Sequence, residues 1–78
     1  MKEYRFSWGM GSDDEGYSFF ADMDYISVGN LINSYKNNGG DVTDYDEFEN
    51  YAKEHGFEIQ RYLREEPTYI HESDLEDF

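Results

Sequence analysis

Two stretches in which aromatic residues take every second position constrain this chain more than any other feature. In residues 2–8 (KEYRFSW), Tyr4, Phe6 and Trp8 alternate with Glu3, Arg5 and Ser7. In residues 17–24 (YSFFADMD), Tyr17, Phe19, Ala21 and Met23 alternate with Ser18, Phe20, Asp22 and Asp24. Side chains two apart on a strand share a face, so each run predicts a half-buried strand with an aromatic inner side. Residues 9–16 (GMGSDDEG) between them hold three Gly and three consecutive acids. They predict a loop, and the whole predicts an antiparallel hairpin with a long acidic tip.

The period then changes to that of a helix. Val28, Leu31, Ile32 and Tyr35 recur at i, i+3, i+4 and i+7, which is one helical face. Ser27 is the expected N-cap, with Ile26 before it placed to staple onto Leu31. Asn37-Asn38-Gly39-Gly40 ends this helix. Asp44 and Glu47 have the spacing of an acidic capping box at the start of a second helix, with Asp46 also in its first turn. Tyr45, Phe48, Tyr51, Ala52 and His55 form its apolar stripe, and His55 is expected to be partly buried there. Gly56 closes the helix, with Phe57 folding back onto Tyr51 or Ala52.

Residues 57–64 (FEIQRYLR) predict a third strand, with Phe57, Ile59, Arg61 and Leu63 on one face. Pro67 interrupts it, and Thr68-Tyr69-Ile70 can form a short edge strand. Grouped strands followed by grouped helices predict an α+β fold. Its expected form is a small antiparallel sheet, an N-terminal hairpin plus a C-terminal strand, with two short helices packed on one face. Residues 1–70 are expected to be one compact domain, and residues 71–78 an acidic, loose tail or a single helical turn.

Charge sets the function class. The chain of 78 residues has 19 Asp and Glu against 6 Lys and Arg, a formal net charge of -13. No Lys or Arg occurs between Arg5 and Lys36, between Lys36 and Lys53, or after Arg64. A small domain needs a net charge of only about 2–8 for solubility. The excess opposes compaction by self-repulsion and repels nucleic acid and anionic membranes. Low hydropathy with such charge would ordinarily mean disorder. Against that, 8 Tyr, 6 Phe and 1 Trp can each bury roughly 150–250 Å². The expected result is a folded domain with an aromatic core and a stability that rises as salt screens its carboxylates.

The absence of Cys excludes disulfides, thiolate metal sites and a Cys nucleophile. No apolar run reaches the roughly 20 residues that span a bilayer. Met1-Lys2-Glu3-Tyr4 lacks the apolar stretch of a signal peptide, so a cytoplasmic location is expected. Neither residues 13–16 nor residues 41–49 fit the calcium-binding D-x-[DN]-x-[DN]-G pattern, and no metal or other cofactor is expected. The histidines are His55, on an apolar stripe, and His71, in an acidic tail. No nucleophile or phosphate-loop motif is present, so no catalytic residue and no enzyme activity are expected. The Tyr4/Phe6/Trp8 and Tyr17/Phe19 stripes read as core, because a base-stacking platform would be set against phosphate repulsion.

A protein of this kind suits a basic partner. Carboxylates two apart on a strand, such as Asp22 and Asp24, repeat at roughly 6.6–6.8 Å. Those three or four apart on a helix, such as Asp44 and Glu47, repeat at about 5–6 Å. Both resemble the spacing of charges along a nucleic-acid backbone. Asp13, Asp14, Glu15, Asp22, Asp24, Asp44, Asp46, Glu47 and Glu49 are the candidate carboxylates, and Phe20, Tyr25 and Tyr62 the candidate aromatic anchors. Short, strongly acidic, rich in Tyr and free of Cys, the chain resembles in kind the small proteins by which phages and mobile elements disable host defence. These are the DNA-mimic inhibitors of restriction enzymes and the anti-CRISPR proteins. The Asn- and Tyr-rich usage around SYKNNGG suits an AT-rich bacterial genome or its phage. The resemblance implies an inhibitor that fills the basic groove of a nucleic-acid-processing protein in the host bacterial cytoplasm. It carries no residue role. The alternative is an interaction module, antitoxin-like or adaptor, that binds a basic partner without mimicry. Monomer and homodimer are both open.

Overall fold

The structure is a computed structural model that describes residues 2–9, 15–61 and 67–78. Its elements follow as β1 (Lys2–Trp8), β2 (Glu15–Ala21), α1 (Tyr25–Asn37), α2 (Tyr45–Glu54), β3 (Ile59–Arg61), β4 (Thr68–His71) and a 3₁₀ helix (Glu72–Asp77). This is the α+β class that the grouping of strands and helices predicts. The strand order is β3-β2-β1-β4. β1 and β2 form the antiparallel hairpin, with Tyr4 opposite Phe19 and Phe6 opposite Tyr17. β3 adds to β2 antiparallel, with Ile59 opposite Ala21. β4 adds to the other side of β1 in parallel, with Ile70 opposite Phe6.

This register puts Tyr4, Phe6, Tyr17, Phe19, Ala21, Ile59 and Ile70 on one side of the sheet, all buried. The helices close over that side. Val28, Leu31, Ile32 and Tyr35 of α1 and Tyr45, Phe48 and Ala52 of α2 complete the core. Phe48 sits at the junction. Its ring centroid lies 6.3 Å from that of Tyr17, 5.6 Å from Phe19 and 5.5 Å from Tyr35. It thereby ties β2, α1 and α2 together. Gly39 (φ 84°) and Gly56 (φ 83°) turn the chain out of the two helices in the left-handed region, where a β-carbon would be strained.

The structure moves several expected boundaries. β2 begins at Glu15 and stops at Ala21, so Asp22 and Asp24 lie beyond the strand rather than along its outer face. The backbone N–H of Asp22 instead donates to the Glu58 carbonyl at 3.3 Å. Asp24, not Ser27, caps α1: its Oδ1 accepts the Ser27 N–H at 2.8 Å. Both are good capping residues, and the carboxylate wins because a helix started there gains three more residues at its N-terminus. The shift puts Ile26 inside the first turn, 58% exposed, so it does not staple onto Leu31. Asp44 does cap α2, accepting the Glu47 N–H at 3.2 Å.

His55 is exposed rather than partly buried, because the helix ends on it. Its ring lies against Tyr51, with centroids 4.2 Å apart. Ser7 and Ser18, expected on an open face, are buried. Both are small and sit on the two central strands, Ser7 between Gly16 and His71 and Ser18 opposite Arg5. Of the third expected strand, Ile59–Arg61 is β3 and Phe57 and Glu58 precede it; residues 62–64 lie outside the described residues. Residues 71–78, expected as a loose tail or a single helical turn, hold the end of β4 and a 3₁₀ helix of 6 residues. His71 closes β4 and caps the 3₁₀ helix, whose Leu75 is buried. Asn33 donates to the Leu75 carbonyl at 2.8 Å, and the Phe78 ring lies 5.1 Å from that of Tyr25.

Phe48→Ala removes the ring that joins three elements. It is expected to cost about 3–5 kcal/mol. Urea unfolding should show a lower midpoint at an unchanged slope.

Candidate acidic interface

The connection between the helices carries the acids, and two tyrosines set its position. The Tyr17 hydroxyl on β2 donates to the Val42 carbonyl at 2.8 Å. The Tyr35 hydroxyl on α1 donates to the Asp41 carbonyl at 2.8 Å. These bonds span 25 and 6 residues of chain, so residues 41–42 are held to the sheet and to α1 together. Asp41 then orders its own turn: its Oδ1 accepts from the Thr43 N–H at 2.9 Å and from the Thr43 hydroxyl at 2.6 Å. Those two bonds hold its carboxyl below the usual range. The Asp24 carboxyl is likewise lowered by the Ser27 N–H that it caps.

One cleft of about 740 Å³ opens at this end of the molecule. Four exposed carboxylates border it: Glu15 from the start of β2, Asp41, the α2 cap Asp44 and Asp46. Trp8 and Tyr45 provide aromatic walls, and Arg5 and Arg61 are the cations. The Arg61 guanidinium is already placed over the Tyr45 ring, 5.3 Å from its centroid. Among the described residues, four carboxylates therefore face two guanidiniums. The first turn of α2 stabilises its acids through the helix dipole, which lets them crowd without unfolding the helix. Such a cleft accepts Lys or Arg side chains, with aromatic surface available for cation–π contact.

The other candidates fall elsewhere. Glu47 borders a separate small hollow with Tyr35 and Tyr51. Glu49 is half-buried and paired with Lys53 at 2.6 Å. The Lys53 ammonium, and then the Tyr45 hydroxyl, hold its carboxyl below the ordinary value. Asp22 and Asp24 lie at the far end of β2 from Glu15, roughly 20 Å along the strand. Phe20 is half-buried, and Tyr25 is 36% exposed with its ring against Phe78. Asp13, Asp14 and Tyr62 lie outside the described residues. Asp41, Trp8 and Arg61 belong to the cleft although sequence reading did not select them. Trp8 continues the aromatic stripe of Tyr4 and Phe6, and that was the available signal. Among the described residues no three His, Asp or Glu side chains come together to hold a metal ion. No described helix is long and apolar enough to cross a membrane.

No protein-family model matches the chain, and comparison with curated proteins and with solved structures gives no match.

Burial, followed by the charges of Glu47 and Asp44, pushes the Tyr35 hydroxyl from 10.0 up to about 12. Burial also raises Tyr17. A hydroxyl whose native pKa is raised adds stability that is complete below its unfolded value and is lost as pH climbs through the native one. The protein is therefore expected to lose stability from pH 10 towards pH 12. Tyr35→Phe should cost about 1 kcal/mol at neutral pH, and its deficit relative to the parent should shrink across that window. Paired thermal melts on either side of pH 10 read both effects.

Proposed function

We propose that this protein is an acidic inhibitor that binds a nucleic-acid-processing protein, of the CRISPR-effector or restriction-enzyme type, and blocks its basic groove by charge mimicry. The observation that supports this reading is the gathering of Glu15, Asp41, Asp44 and Asp46 on one cleft in a chain of net charge -13. Fixed carboxylates on a folded frame meet Lys and Arg without the ordering cost that a loose acidic tail would carry. The same field speeds encounter with a basic surface and makes it salt-sensitive. The protein acts by occupancy rather than by catalysis, in the host bacterial cytoplasm if a phage encodes it. Trp8 at the cleft mouth offers a flat surface for an arginine of the partner.

Glu15 and Asp46 are the acids to reverse, since Asp41 and Asp44 also hold the local fold. A tagged pull-down from bacterial lysate should capture a nucleic-acid enzyme that moderate salt releases and excess duplex DNA displaces. Glu15→Lys with Asp46→Lys should weaken capture at least about tenfold while leaving the thermal midpoint nearly unchanged. Capture that ignores DNA and survives high salt would instead support an interaction module that binds without mimicry.

A further inference from the structure

The opposite end of the helical layer carries a different surface. A hollow of about 270 Å³ lies between the first half of α1 and the end of α2. Leu31, Tyr51 and Phe57 are its apolar lining, and Ser27, Asn30, Ser34 and His55 its polar one. Phe57 is 37% exposed. A domain that buries its core this thoroughly has left this large apolar side chain in water at the edge of a concavity. The hollow is smaller than the roughly 300–1,000 Å³ of small-molecule sites and is of a size for one large side chain.

Exposed carboxylates neighbour its lining residues in the chain, with the Lys2 ammonium acting on one of them, Asp24. Asp24 caps α1 within 2.8 Å of the Ser27 N–H. Glu58 follows Phe57, and its carbonyl accepts the Asp22 N–H at 3.3 Å. Glu54 precedes His55. All four carboxylate residues are exposed. The His55 ring adds a directed acceptor. Its Nδ1 lies 2.8 Å from the Tyr51 carbonyl, which can only accept, so Nδ1 carries the proton and Nε2 of the neutral ring is left to accept. An apolar centre with an anionic, hydrogen-bond-accepting rim suits an aliphatic or aromatic side chain whose neighbours are Lys or Arg.

We propose that this groove is a second contact surface, which seats an apolar residue of a Lys/Arg-bearing segment of the basic partner. The inference rests on the partner being a basic protein, as in the reading above. It assigns the groove specificity that charge alone does not supply, because carboxylates meet any cation whereas a hollow selects a side chain. Buried aromatic and aliphatic anchors ringed by polar residues are the usual form of a binding hot spot.

The probe is a short labelled Lys/Arg-rich peptide carrying one Trp, compared with the same peptide carrying Ala instead. Fluorescence anisotropy should show the Trp peptide binding about tenfold more tightly. Phe57→Ser or Tyr51→Ser should abolish that preference, whereas Glu15→Lys with Asp46→Lys should leave it intact. Amide chemical shifts should move around Ser27, Ser34 and His55. Equal binding of the two peptides, or shifts confined to the acidic cleft, would overturn the proposal. So would a dimer in light scattering that Phe57→Ser converts to monomer, since the groove would then be filled by a second copy. A preference that persists while DNA fails to compete in the pull-down would remove the mimicry and keep the groove. The reverse pattern would remove the groove alone.

Discussion

The packing of Phe48 against Tyr17 and Phe19 is the contact on which the rest of the structure depends. A helix of 10 residues such as α2 is not stable alone in water, since about 12–15 residues are marginal even for Ala-rich sequences. α2 exists because its stripe has an aromatic surface to cover. The same contact brings α1 in through Tyr35 and fixes which side of the hairpin is inside. It also works against a net charge of -13, which favours expansion. Each large side chain buried here contributes about 1.5–3 kcal/mol, so several interlocked rings are needed before the chain closes at all. The high aromatic content and the high charge are two halves of one balance.

The acids divide into those that the fold uses and those that it merely carries. Asp24 and Asp44 cap helices and Asp41 orders a turn, each accepting a backbone N–H. Glu49 is tied to Lys53. Glu15 and Asp46 have no such structural role among the described hydrogen bonds. That division reconciles charge with stability. Placed at helix N-termini and in turns, many of the carboxylates are compensated by backbone donors and by the helix dipole, although few cations are at hand. Tyrosine hydroxyls contribute at a distance, since Tyr17 and Tyr35 hold the interhelical connection and hence the position of the acidic cleft.

Local sequence reading succeeded where one residue's chemistry decides the outcome. Asp44 with Glu47 marked the start of α2, Gly39 and Gly56 marked helix ends, and alternation marked β1. It failed where two local solutions compete. Asp24 and Ser27 are both fit to cap α1, and alternation through Met23 and Asp24 extended β2 on paper past the point where the chain turns into the helix. The consequence for the site was direct: Asp22 and Asp24, read as a strand pair, are a bend residue and a cap. The apolar groove was not legible either: Phe57 does close α2, its N–H donating to the Ala52 carbonyl at 2.9 Å, but that its ring also borders a hollow against α1 is a tertiary outcome.

The sequence by itself determined the α+β class, the aromatic inner face of the hairpin, the second helix cap and the acidity of the surface, because periodicity, capping chemistry and charge are local properties. Only the tertiary structure decided that β3 and β4 flank the hairpin on opposite sides and that β4 runs parallel to β1. It alone joined Glu15 to Asp41, Asp44 and Asp46 while sending Asp22 and Asp24 to the far end. Those outcomes depend on which distant segments bury the same apolar surface. Closing a longer loop adds only a slowly growing entropy cost, so chain separation barely discriminates among pairings, and the fit of Phe6 to Ile70 and of Ala21 to Ile59 across the sheet makes the choice.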